Sequence, residues 1–100
     1  MKDTHTVIIG GGVIGLSIAW RLARAGRRVT IVERGKIGYE ASRLAAGILG
    51  AAAEVGFEES ELYDLCRHSL EIWPDFVREL EADSGMVVDY RSNGTLIVAN

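Results

Sequence analysis

Between Thr6 and Glu33 the chain sets a short apolar run, three spaced glycines, an amphipathic segment and a second apolar run ending on an acid. Thr6, Val7, Ile8 and Ile9 are mostly β-branched and too few for a helix, so they predict a buried parallel strand. Gly10, Gly12 and Gly15 follow in GxGxxG spacing, with Ala19 four positions after the last. Gly10 suits a tight turn out of the strand, and Gly12 lets backbone approach a pyrophosphate where a Cβ would intrude. Gly15 lets the next helix press on the sheet, and Ala19 extends that contact by a turn. Val13 and Ile14 open the helix, where unpaired N–H groups and a macrodipole of about half a charge face any phosphate.

Ile14, Ile18, Leu22 and Ala25 fall on one face of this predicted helix, with Arg21 and Arg24 in its last turns and Gly26 as its stop. Val29, Thr30, Ile31 and Val32 predict a second strand, and Glu33 lies 23 positions after Gly10. A carboxylate there can accept hydrogen bonds from ribose hydroxyls, whereas a 2′-phosphate would meet like charge. The expected ligand therefore carries an unmodified ribose, as FAD and NAD do and NADP does not. Three glycines also occur in ordinary turns. Strand, glycines, helix, strand and acid in order within about 30 residues make a dinucleotide socket the stronger reading.

One hundred residues fall short of a full doubly wound sheet, so the chain is expected to be the N-terminal portion of a larger enzyme, inactive when isolated. Its 48% hydrophobic and 25% charged residues are those of a globular protein. A net charge of −3 and a pI near 5.3 give no basic stripe for nucleic acid. Cys66 has no partner for an internal disulfide, which fits a reducing, cytoplasmic compartment, and no CxxC or paired-His motif predicts a metal. Val7 to Trp20 is broken by glycines and too short to span a bilayer, which takes about 20 apolar residues.

After a loop over 34–38, Tyr39 to Gly50 is rich in small residues. A short buried helix explains that composition. So does a flat ligand lying on the backbone, with the Ser42 hydroxyl and the N–H groups near Ala46 and Gly47 as donors. Glu58 to Asp83 predicts a long helix: Leu62, Leu65, Cys66, Leu70, Trp73, Phe76, Val77 and Leu80 form a core-facing stripe, and Gly85 ends it. Pro74 predicts a kink or break near Trp73, His68 is expected to pair with Asp64, and His5 to be exposed. Met86–Tyr90 and Thr95–Ala99, joined through Asn93 and Gly94, predict a β-hairpin.

Glu33 and Arg34, followed by Ala41, Ser42, Ala45, Ala46, Gly47, Ile48 and Leu49, resemble the second cofactor segment of the D-amino-acid oxidase family of flavoproteins. The similarity continues through Gly50 to Glu54, His68 and Ser69, Ser84 and Gly85, and Gly94 to Leu96, and so covers nearly the whole chain. Leu44 stands where the family commonly carries Ala, and Ile48 where many members carry Met.

The resemblance implies an α/β fold: a Rossmann-like FAD-binding βαβ unit, a long helix, and a hairpin opening a second, substrate-binding domain, with the boundary near Gly85. It implies FAD as cofactor. Gly10, Gly12, Val13, Ile14 and Gly15 would hold the pyrophosphate and Glu33 the adenosine ribose, with Arg34 beside the adenosine. Ala41 and Ser42 would continue the phosphate contacts, and Ala46, Gly47 and Ile48 would run beside the isoalloxazine. It further implies a small amine or amino acid as substrate, glycine first, and oxygen as acceptor. The products would be a 2-oxo acid, ammonia and hydrogen peroxide, in the context of thiamine biosynthesis. No catalytic acid or base is expected within these residues, because the family's substrate-gripping arginine and tyrosine come later in the chain. A homo-oligomer is compatible with the family. Three alternatives stand beside this reading: a family member acting on sarcosine, another secondary amine or a D-amino acid; an NAD-dependent dehydrogenase; and a non-catalytic nucleotide-binding module.

Overall fold

The computed structural model describes residues 4–52, 56 and 58–98. Glu54 and Ala99 lie outside them. The chain divides into two compact units, Met1–Gly47 and Ile48–Asn100.

The first unit is a βαβ arrangement followed by one turn of helix: β1 (His5–Ile9), α1 (Val13–Arg24), β2 (Arg28–Val32) and α2 (Ala41–Leu44). β1 and β2 are parallel and in register from His5 opposite Arg28 to Ile9 opposite Val32. Beyond the last pair, the Gly10 N–H donates to the Val32 carbonyl at 2.8 Å, so the glycine turn leaves from the same sheet edge at which Glu33 emerges. Both strands alternate half-buried and exposed residues instead of being buried on two faces. α1 covers one face only. Thr6, Ile8, Val29 and Ile31 are half-buried, while Ile9 remains 89% exposed.

The glycines set how closely α1 approaches. A Cβ on Gly15 would lie 2.1 Å from the Gly10 carbonyl oxygen and 3.2 Å from Ile8 Cγ2, so only hydrogen fits there. One turn on, Ala19 is buried. The helix face that meets the sheet therefore runs through Gly15 and Ala19, and Ile14 and Ile18 are exposed, contrary to the stripe drawn from hydrophobicity. Small residues win that face because backbone proximity, not side-chain volume, sets the contact. α1 ends as predicted. Gly26 adopts φ 74°, its N–H reaches the Ala23 carbonyl at 2.9 Å, and the Arg27 N–H reaches Leu22 at 3.0 Å, the pair of bonds that closes a Schellman cap.

The second unit contains α3 (Ser60–Ser84), which ends on Gly85 in the left-handed conformation with its N–H on the Glu81 carbonyl at 2.9 Å. The helix runs unbroken through Pro74. Along the expected core stripe only Val77 is buried, although Trp73 and Phe76 stack with ring centroids 5.2 Å apart. Leu62, Leu65 and Leu70 are exposed, since no other helix or strand of this unit is present among the described residues to cover them. His68 faces Glu71 at 3.8 Å instead of Asp64; spacings of three and four are both neighbours on a helix, and the longer Glu side chain reaches. His5 is exposed as expected and also hydrogen-bonds Thr30 Oγ1 at 2.8 Å.

No hairpin forms over residues 86–98, which carry no strand pairing. Gly94 takes the positive φ a turn requires, yet an isolated two-stranded ribbon is marginal in water without a third strand or a helix beneath it. The Val88 N–H is instead bound by Glu81 Oε1 at 2.8 Å, and Asp89 takes φ 56°. No described helix is long and apolar enough to cross a membrane.

Candidate functional site

The parallel strands deliver two chain segments to one edge: the turn over 10–12 after β1, and the loop over 33–40 after β2. Glu33 joins them. Its carboxylate accepts the Gly11 N–H at 2.7 Å through Oε2 and the Gly35 N–H at 3.1 Å through Oε1. The Gly38 N–H donates to the Gly11 carbonyl at 2.8 Å, which fastens the far end of the loop to the same turn. The Gly11 bond is the main reason the Glu33 carboxyl titrates below its ordinary value. Gly35 adds to the effect, and the Arg34 N–H and guanidinium contribute less. The group is ionised at neutral pH and only accepts. A carboxylate offers about four lone-pair directions, so acceptor capacity remains for hydroxyl donors.

α1 begins at this edge. Its N-cap, Gly12, has no side chain, and the cap comes from elsewhere in the sequence: Ser42 Oγ accepts the Val13 N–H at 2.8 Å. The N–H groups of Gly12 and Ile14 have no protein acceptor among the described residues. Exposed helix-start donors of this kind suit an anion.

A cavity of about 150 Å³ opens here, lined by Gly11 and Gly12 of the turn, by Glu33, Lys36, Gly38, Tyr39 and Glu40 of the loop, and by Ala41 and Ser42 of α2. Whole drug-sized ligands take pockets of about 300–1,000 Å³, so this space has the size for one part of such a molecule and not the whole. A Cβ on Gly12 would stand 3.1 Å from Ser42 Oγ, at the cavity wall.

Gly12, Glu33, Ala41 and Ser42, expected from the sequence to contact a cofactor, line this one cavity, with Val13 attached through its bond to Ser42. Gly10 and Gly15 act behind the cavity by shaping the turn and the helix packing. Arg34 points to Glu40, 3.1 Å away, and does not line the space. Ala46 and Gly47 follow α2 as exposed backbone outside the cavity, and Ile48 belongs to the second unit. α2 forms where a short helix was one of two readings of its composition, but none of its residues is buried. Sequence reasoning missed Gly11, Lys36, Gly38, Tyr39 and Glu40. Gly11 carried a signal, as the residue enclosed between two motif glycines. The loop residues carried none, since no spacing rule applies to them. Among the described residues no group of His, Cys, Asp and Glu side chains could hold a metal ion.

Comparison with known proteins gives this geometry its context. A family model described as FAD dependent oxidoreductase (DAO) matches residues 5–100. Glycine oxidase of Bacillus licheniformis is 37% identical over 98 residues, covering 98% of this chain and 26% of that protein. The 4-methylaminobutanoate oxidase (formaldehyde-forming) of Paenarthrobacter nicotinovorans is 36% identical over 99 residues, covering 96% of this chain and 11% of that protein. The crystal structure of glycine oxidase from Bacillus cereus ATCC 14579 superposes with a TM-score of 0.76 at 41% identity, covering 86% of this chain and 23% of that one. The chain spans about a quarter of the length of these glycine oxidases and less of the longer 4-methylaminobutanoate oxidase. With its glycine turn, helix start and Glu33 gathered at one sheet edge, the chain belongs to the DAO family of FAD-dependent oxidoreductases.

Proposed function

We propose that this chain is the N-terminal FAD-binding part of a flavin-dependent amine or amino-acid oxidase, with glycine as the substrate best supported. The observation that carries the cofactor reading is the Glu33 carboxylate held 2.7 Å from the Gly11 N–H, which sets a ribose acceptor against the turn that opens α1. The residues fit the group. A Cβ on Gly12 would crowd Ser42 Oγ at 3.1 Å, the Gly12 and Ile14 amides have no protein acceptor among the described residues, and Glu33 is ionised. Gly12, Val13, Ile14 and Ser42 would hold the diphosphate, with Gly10 and Gly15 shaping the turn and helix behind it, and Glu33 the adenosine ribose. Arg34 and Ala41 would lie alongside, and Ala46, Gly47 and Ile48 would run toward the flavin ring. Bound FAD supplies the redox chemistry, and the protein binds and orients it.

Similarity to proteins named glycine oxidase supports glycine as the amine oxidised; the reaction we propose turns glycine, oxygen and water into glyoxylate, ammonia and hydrogen peroxide, in the cytoplasm and in the service of thiamine biosynthesis. The likeness to 4-methylaminobutanoate oxidase favours a second reading, a substrate with a methylated amine such as sarcosine. The 100 residues alone would hold FAD weakly and turn over no substrate, because one small cavity accounts for only part of the ligand. The test is peroxide release by the purified full-length protein across glycine, sarcosine and D-amino acids, together with its visible absorption spectrum. A flavin band with highest kcat/KM on glycine is expected. Preference for sarcosine selects the second reading. A colourless protein that binds NAD sinks both.

A further inference from the structure

Lys36 and Arg43 share one aromatic ring. The Lys36 ammonium lies 4.3 Å from the centroid of Tyr39, and the Arg43 guanidinium carbon lies 4.0 Å from it. Neither cation is in an ion pair among the described residues, whereas the neighbouring Arg34 is paired with Glu40. A ring quadrupole attracts an exposed cation only modestly, and two cations on one ring repel each other. An anion in the adjoining cavity, near both cations, offsets that repulsion.

The location supplies the anion's identity. Lys36 and Tyr39 line the cavity that also holds Gly11, Gly12 and Ser42, and Arg43 directly follows Ser42 in α2. Two carboxylates, Glu33 and Glu40, border the same cavity and would repel a phosphate. Arg34 offsets Glu40, and Lys36 with Arg43 leaves the rim one cation in excess. An ammonium serves phosphate as a compact point charge and a guanidinium as a fork of donors.

We propose that Tyr39 is a positioning residue that holds Lys36 and Arg43 beside the glycine turn as a cationic clamp on a diphosphate ester. The proposal rests on the FAD reading above and adds to it three side chains outside the glycine motif.

The test is FAD titration of the full-length apoprotein at low and at high salt. Tyr39→Leu removes the ring and is expected to raise Kd about fivefold or more at low salt, while Tyr39→Phe keeps the ring and stays within about twofold of wild type. The gap between Tyr39→Leu and wild type should narrow at high salt, as the screening length falls from about 10 Å at 0.1 M to about 3 Å at 1 M. Lys36→Met and Arg43→Met should each weaken binding and flatten its salt dependence. Equal Kd for Tyr39→Leu and wild type at both salts overturns the clamp, as does Tyr39→Phe losing as much as Tyr39→Leu. If Tyr39→Leu does not fold, the Lys36→Met/Arg43→Met double variant decides: unchanged salt dependence overturns the proposal. A wild-type protein that takes up no FAD overturns the cofactor reading itself, and the clamp with it.

Discussion

The Ser42 hydroxyl oxygen sits 2.8 Å from the backbone nitrogen of Val13, 29 residues earlier in the chain. The helix that opens the candidate cofactor site is therefore capped by a side chain from α2, after the second strand. Helix start, strand end and α2 are tied into one local structure, and each tie has a measurable consequence.

Ser42→Ala deletes the acceptor and leaves the Val13 N–H to water. Loss of a capping hydroxyl costs about 1 kcal/mol, within a range of about 0.5–2. Chemical denaturation of the full-length protein should show a lower midpoint with an unchanged slope. Identical midpoints would mean that the bond contributes nothing in solution.

Gly15 leaves no room for substitution. A Cβ there would lie 2.1 Å from the Gly10 carbonyl oxygen, which is backbone and cannot rotate away. Gly15→Ala should destabilise by about 1–3 kcal/mol as α1 is forced off the sheet. Gly35→Ala is the matched control, because its nearest neighbour is Glu33 Oε1 at 4.0 Å. The idea fails if the two variants melt together.

Gly12→Val tests the cavity wall. The first added carbon would already stand 3.1 Å from Ser42 Oγ, and Gly12 lines the cavity assigned to phosphate, so a bulkier side chain crowds that wall. The variant should purify folded but mostly without flavin. Wild-type flavin absorbance per protein would remove the glycine turn from its assigned role.

Glu33 supplies the pH dependence. Its folded-state pKa lies below the ordinary value, chiefly because the Gly11 N–H binds the ionised form. A depressed carboxyl stabilises the fold fully above the unfolded pKa of about 4.3 and loses that contribution as pH falls through the lower folded value. Melting temperatures of wild type and Glu33→Gln should differ at neutral pH and converge on acidification below that point. A gap that is constant from neutral to acid pH would argue against the charge on Glu33.

The βαβ order, the Schellman stop at Gly26, the left-handed cap at Gly85 and the acid at the end of β2 were all legible from residue type and spacing. Each depends on interactions a few residues long: β-branching in a strand, helical periodicity, a positive φ that glycine tolerates. The same local logic placed Ile14 and Ile18 against the sheet and paired residues 86–90 with 95–99. It failed there because those outcomes depend on which partner surface is present. Gly15 and Ala19 took the contact with the sheet, and no further layer covers the second unit's apolar residues among those described.

The site divides along the same line. Sequence by itself determined the glycine turn and the carboxylate, since both belong to one short βαβ unit with a fixed internal geometry. Only the tertiary structure decided that Glu33 is bound to Gly11, that Ser42 caps α1, and that Lys36 and Arg43 meet on Tyr39. Those contacts join the glycine turn to the loop and α2 beyond β2, or form within that loop. Where such segments meet is set by strand register and loop closure, which residue spacing does not encode.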